Sequence, residues 1–379
     1  MPRLPPPELT AARHRAARRY RVVPPDELPP SVAHHFAACR DDPEFGGALL
    51  PRGGDTGAVR ALTRAAAELF RSLSQPRGVD SADAGGPDAL ARLVLDGVLE
   101  VEHGGAFVSR TRAHCAYFDG SPPPRPASRL AAVSDAAVRY AESLGVDDPR
   151  VLRERLYRYN SRPASPDWRR RLADEGAVSR FLRIGRAARR GLSHALERGW
   201  HYWRPARAAG TNTPAFKLYV SPGVGDLPAA LEATLAALAQ GRGMVAAKVG
   251  RDVHALLRPD KLVAYFRDGD ALHEAAAELA AAFGGMPAHG VPFTADLTGN
   301  GLLSWAADPP ADTISLDWAG DGSWRVWIAS RLASSLALAA SEPGESVPAW
   351  LFAIDRLSLD GVDLATWAPS PGVWTGGAN

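Results

Sequence analysis

From Ala215 onward the chain reads as short apolar strands separated by alanine-rich helices, and that alternation limits its fold more than any other feature. Ala215–Val220, Met244–Val249 and Leu262–Phe266 are runs of Val, Leu, Ala and aromatic residues of strand length. Leu227–Gln240 reads as a helix, opened by Asp226 as N-cap with Pro228 in its first turn. A second helix covers about Ala271–Phe283. Trp324–Ile328 is a strand or an early helix, leading into an alanine-rich helix through Ala340. Strands alternating with helices make residues 211–379 an α/β or α+β core.

The residues before this core read differently. Residues 1–30 are rich in Pro and Arg and are expected to form a flexible arm. Residues 31–120 read as a mostly helical domain with a winged-helix-like element. Asp88–Val101 is a helix that breaks at Gly97 into a strand, Gly104-Gly105 is a turn, and Ala106–Ser109 is the return strand. The same pattern suits any small α+β substructure. No dense basic helix precedes the wing, so DNA binding is not expected. Ser121–Pro126 is a linker, and residues 128–205 read as a helical region whose arginines are mostly solvated or ion-paired. The whole chain is therefore expected to be α+β.

Its 379 residues suggest two or three domains, and a net charge of +2 gives no general affinity for nucleic acid or membrane. Cys39 and Cys115 have neither disulfide-framework nor metal-ligand spacing, which fits a reducing cytosol. No apolar leader and no run of membrane-spanning length is present, so a cytoplasmic location is expected. Phosphate-binding P-loop, dinucleotide, zinc-protease and serine-hydrolase motifs are absent, and the histidines are scattered. Neither a metal nor an organic cofactor is expected.

What stands out is a set of cations on or beside strands. Among 44 basic residues only three are lysines, Lys217, Lys248 and Lys261, and all fall in one short window. Lys217 and Tyr219 are two apart in a strand and so share a face. Lys248 also lies inside an apolar strand, where a lysine is costly to bury unless paired or used. Arg258 and Lys261 precede the strand that carries Tyr265. Arg325 sits between Trp324 and Trp327, where stacking can hold a guanidinium rigid. His289 lies in a loop framed by Gly and Pro. Each has a plainer reading: Lys217 and Lys248 as edge-strand lysines, Arg258 as a partner of Asp260 or Asp268, Tyr265 as core, Arg325 as a structural stack, His289 as an ordinary loop residue.

The stretches Phe216–Ser221, Leu257–Phe266, His289–Thr294, Gly301–Trp305 and Ser323–Trp327 resemble the Hop-type type III secretion effectors and their relatives encoded beside peptide natural-product kinases. Those relatives are similar to the phosphothreonine lyases. In lanthipeptide and thioamitide pathways they are thought to eliminate phosphate from phosphoserine or phosphothreonine of a precursor peptide, giving dehydroalanine or dehydrobutyrine. The resemblance thus implies a phosphopeptide lyase core over residues 211–379, with a precursor peptide, a kinase and a cyclase as partners. It implies Lys217 as base, Tyr265 as an active-site tyrosine, and Lys248, Arg258 and Arg325 as phosphate-binding cations; Lys261, in the same cluster of cations, is a further phosphate-binding candidate. The family's acid is a His two residues after the base. Tyr219 stands there instead, so the acid is Tyr219 or His289, or the chain is a non-catalytic module that binds a phosphopeptide or leader peptide. A regulator with a winged-helix reader is the remaining alternative.

Overall fold

The computed structural model describes residues 12–37, 39–53, 59–187, 191–206, 215–309, 323–342 and 347–370. The chain is α+β. Residues 1–11 of the expected arm lie outside the described residues, but the rest of that segment is not an arm. Strand β1 (Arg13–Ala16) and strand β2 (Tyr20–Val23) each join a sheet, and His14, Tyr20 and Val23 are buried. Their partners lie far along the chain, so the local Pro and Arg content could not reveal them.

Residues 31–120 also hold more strand than their periodicity suggests. Strand β2 pairs with β3 (Phe45–Pro51), and β3 with β4 (Arg60–Thr63). The segment that follows is a helix, α1 (Arg64–Ser72), capped by the Thr63 hydroxyl. The short strand β5 (Arg77–Gly78) pairs with β1. Helix α2 (Pro87–Leu95) leads into a hairpin of β6 (Leu99–His103) and β7 (Ala106–Val108). Strand β1 adds to β6, which makes a four-stranded sheet with β7 at its edge.

Helix α3 (Arg129–Ser143), capped by Ser128, and helix α4 (Pro149–Arg158), capped by Asp148, follow the proline-rich linker. The helical reading then fails at its end. Strands β8 (Leu192–Glu197) and β9 (Trp200–Pro205) form a hairpin. Its turn residues, Arg198 and Gly199, both have positive φ, which is the turn whose twist matches a two-residue hairpin. His201 and Trp203 are buried in alternation with their neighbours, a period of two that the surrounding arginines obscure.

This hairpin extends the central sheet of the core. In chain order the core adds β10 (Phe216–Val220), helix α5 (Leu227–Gln240), β11 (Met244–Gly250), β12 (Leu262–Phe266), helix α6 (Gly269–Phe283), β13 (Ala295–Asp296), β14 (Leu303–Ala307), helix α7 (Trp324–Ala340) and helix α8 (Ala349–Ser358). The seven strands lie in the order β13-β14-β10-β12-β11-β9-β8. Every neighbouring pair is antiparallel. Alternating strands and helices suggested α/β, which favours parallel pairing. The link from β11 to β12 is too short for a crossover, so β12 turns back beside it.

Helices α5 and α6 cover one sheet face, packing on Leu218, Ala247, Val249, Leu262 and Ala264. Helices α3, α4, α7 and α8 cover part of the other, around Tyr219, Ala246, Val263 and Tyr265. Trp324–Ile328 is thus the start of a helix, not a strand. Ala339 and Phe352 also enter the core of the N-terminal residues. Arg356 ties the two parts together with two 2.8 Å bonds to Asp96 and a 2.9 Å ion pair to Asp360. Among the described residues no helix is long and apolar enough to cross a membrane.

Candidate functional site

Neighbouring strands β10, β12 and β11 bring the lysines together. Lys217 sits opposite Tyr265, and Tyr265 opposite Ala246. One row along, Tyr202, Lys248, Val263 and Tyr219 line up across four strands. Because side chains alternate, all of these face the α7 side of the sheet. The two ammonium groups flank one ring: the Nζ atoms of Lys217 and Lys248 lie 5.6 and 5.5 Å from the centre of Tyr265. Lys248 Nζ is also 4.5 Å from the Trp200 ring.

The two lysines are held in opposite ways. Lys217 Nζ donates to Asp308 at 2.7 Å and lies 2.5 Å from its other oxygen. Asp308 also accepts the backbone N–H of Trp324 at 2.9 Å, so it caps the start of α7. Lys248 has no hydrogen-bonded or ion-paired carboxylate among the described residues. Burial and the neighbouring Lys217 charge bring its pKa down to about 8.

Asp260 gathers the arginines. Its oxygens accept from Arg258 Nε and Nη2 at 2.9 and 2.7 Å, and Arg325 Nη1 stands 2.8 Å away. Burial alone would raise the Asp260 carboxyl; the Arg325 and Arg258 guanidiniums outweigh it and hold it well below the usual carboxylate range. Arg325 is only 2% exposed; its Nη2 donates to the Tyr157 carbonyl at 2.8 Å and its Nε to that of Pro292 at 3.3 Å, while the buried Nη1 stands against Asp260 as an ion pair without a hydrogen bond. It does not lie between the tryptophans as expected. Successive helix residues point about 100° apart, so Trp324 and Trp327 stack on each other at 5.8 Å while Arg325 lies 4.7 Å from the Tyr157 ring. Arg258 is more open. Its Nη2 also reaches the Tyr157 hydroxyl at 2.8 Å, and its Nη1 has no hydrogen-bond partner among the described residues.

Lys261 and His289 form a separate closed pair. His289 Nε2 lies 2.6 Å from the Asn160 carbonyl, which can only accept, so this nitrogen carries the proton. Nδ1 then accepts from Lys261 Nζ at 2.9 Å, and Lys261 also donates to the Pro222 carbonyl at 3.1 Å. Burial and the Lys261 charge lower His289 to about 3, and burial lowers Lys261 to about 7. Lys261 is fully buried. His289, whose single N–H is used, is badly placed to protonate a leaving group. Replacing His289 by Ala is expected to lower stability by about 1–3 kcal/mol, through the unsatisfied Lys261 and Asn160 groups. Urea melts check this. Tyr219 is buried too, and desolvation followed by the Asp308 charge raises its phenol well above the ordinary value.

A groove of about 670 Å³ opens over Lys248, walled by Tyr157 and Arg153 of α4, Trp200 and Tyr202 of β9, and Ser323 and Val326 at the start of α7. Tyr157, Trp200, Tyr202 and Asp308 were missed in the sequence. Only Trp200-His201-Tyr202-Trp203 carried a local signal, an aromatic run after a turn. Among the described residues no three His, Cys, Asp or Glu side chains gather where they could hold a metal.

Two effector proteins from Pseudomonas syringae are weakly similar to this structure. The one from pathovar syringae strain 61 matches 65% of this chain and 99% of its own, with 15% identity and a TM-score of 0.43. The one from pathovar tomato strain DC3000 matches 64% and 99%, with 15% identity and a TM-score of 0.44. No family model matches the sequence, and no curated protein matches it.

Proposed function

We propose that this protein is a phosphopeptide lyase that eliminates phosphate from phosphoserine or phosphothreonine of a precursor peptide, leaving dehydroalanine or dehydrobutyrine in a lanthipeptide-like product. One observation carries the reading. Lys217 and Lys248 share a sheet face; Lys217 is fixed by a carboxylate, whereas Lys248 lines an open groove, ion-pairs with no carboxylate among the described residues and has a pKa brought down to about 8.

That division suits β-elimination. A neutral amine takes the Cα proton, the Cβ–O bond breaks, and its electron pair leaves with the phosphate oxygen. The resemblance and its strand position made Lys217 the expected base, but its nitrogen is engaged by both oxygens of Asp308, at 2.7 and 2.5 Å. The proton acceptor is therefore assigned to Lys248. Lys217 is assigned to stabilise the enolate that develops on the peptide carbonyl. Arg258, with Nη1 uncommitted, takes a phosphate oxygen. A kinase must install the phosphate first, and a cyclase is the natural consumer of the dehydrated peptide.

Arg258→Ala is expected to weaken binding of a phosphopeptide by about 1.5–3 kcal/mol, the worth of a charge-assisted hydrogen bond. The unphosphorylated peptide should bind nearly as before. Titration calorimetry of both peptides checks this, and equal weakening would assign Arg258 to the fold alone. The activity itself is tested by incubating the protein with a kinase-phosphorylated precursor and reading loss of phosphoric acid by mass spectrometry.

A second reading has an observation in its favour. Tyr219 is closed off where the resemblance calls for an acid, and His289 is locked. A site that held the phosphorylated residue with no acid for the leaving group would serve as a phosphopeptide-binding module. Tight binding with no elimination at any pH would select it.

A further inference from the structure

We infer that the peptide crosses helix α4 and sets an acidic residue, about three positions from the phosphorylated one, in a second cavity beyond that helix; this rests on the peptide-binding reading above. The second cavity, about 540 Å³, is lined by Tyr140, Glu154, Arg155, Arg158, Tyr159 and Asn160. Glu154 lines both cavities, so the two meet across α4.

The helix periodicity explains the layout. Arg153 and Tyr157, four apart, face the groove over Lys248. Glu154 and Arg158, also four apart, form an exposed ion pair that runs as a ridge between the cavities. Arg155 and Tyr159 lie on the far side. A helix with its side chains is about 10–12 Å across. An extended peptide advances about 3.3 Å per residue, so about three residues cover the distance.

Charge selects the class of residue. Arg158 is engaged by Glu154, whereas Arg155 is exposed and has no hydrogen-bond or ion-pair partner among the described residues. The cavity therefore offers one uncompensated guanidinium. A carboxylate on the peptide completes it, and a lysine there meets like charge. Rings of Tyr140 and Tyr159, 5.4 Å apart, supply an apolar wall for the carboxylate's methylenes. The floor is fixed: the Asn160 amide donates to the carbonyls of His289 and Gly290 at 3.2 and 2.9 Å.

The test is fluorescence anisotropy with labelled phosphopeptides that differ only in carrying Glu, Ala or Lys three residues before or after the phosphoserine. The full-length protein should bind the Glu peptide about three- to tenfold tighter than the Lys peptide in one of the two directions, as exposed charge pairs allow. Arg155→Glu, a surface change, should reverse that order. Equal affinity for all three peptides, or an order unchanged in Arg155→Glu, overturns the inference. Acidic preference without phosphate loss would sink the lyase reading and leave this one standing. No binding of any phosphopeptide would overturn both.

Discussion

Replacing Lys248 by methionine should lower phosphate elimination by about 10²–10⁴-fold while leaving the fold and phosphopeptide affinity nearly intact. Methionine keeps the unbranched length that packs against Trp200 and Tyr265 and removes only the amine. No carboxylate is left unpaired by the change, because Lys248 ion-pairs with none among the described residues. The variant therefore isolates proton transfer from stability. The pH profile gives a second readout. A base must be neutral, and burial together with the Lys217 charge sets Lys248 at about 8. Single-turnover rates should rise about tenfold per pH unit below 8 and flatten above it. A rate that falls with rising pH, or a fully active Lys248→Met protein, would return the base to another residue. Lys217→Met is the control: it strands Asp308, so both stability and turnover should drop.

Much of this site was legible because a strand has a period of two. Lys217 and Tyr219 share a face for that reason alone, and an apolar run holding Lys248 already marked a lysine that needed a reason to be there. What stayed hidden depends on pairing over long sequence separations. Asp308 reaches Lys217 across 91 positions, and no local pattern marks it as the carboxylate that separates the two lysines in role. Tyr157 belongs to a helix whose periodicity announces only packing, yet its ring and oxygens position both arginines. The β8–β9 hairpin was hidden by its composition: arginine-rich flanks read as a continuing helix, and the two positive-φ residues of the turn are an Arg and a Gly rather than a familiar Asn-Gly. Arg325 was expected to be held by stacking between two tryptophans, and it lies against the Tyr157 ring instead. Its tryptophan neighbours in sequence are not its neighbours in space.

Asp260→Asn should destabilise the protein by about 3–5 kcal/mol, because removing one member of a buried ion pair leaves its partner's charge unpaired. The half-buried partner, Arg258, can turn to water; Arg325, 2% exposed and tied to the Tyr157 and Pro292 carbonyls, cannot. Lowering the pH should reach the same end only in strong acid, since Arg325 and Arg258 hold the Asp260 carboxyl well below the ordinary range. The sign is that of a depressed acid: the stabilisation is present above the unfolded pKa of about 4 and is lost as pH falls through the folded one. Urea melts at neutral pH measure the mutational loss. The double variant Arg325→Met with Asp260→Leu distinguishes a structural pair from a phosphate clamp. Replacing both charges by apolar groups of similar size should recover most of the lost stability, and phosphopeptide affinity should then depend on Arg258 alone. If the double variant is stable but loses binding of phosphorylated and not of unphosphorylated peptide, with Arg258 in place, Arg325 belongs to the phosphate site after all.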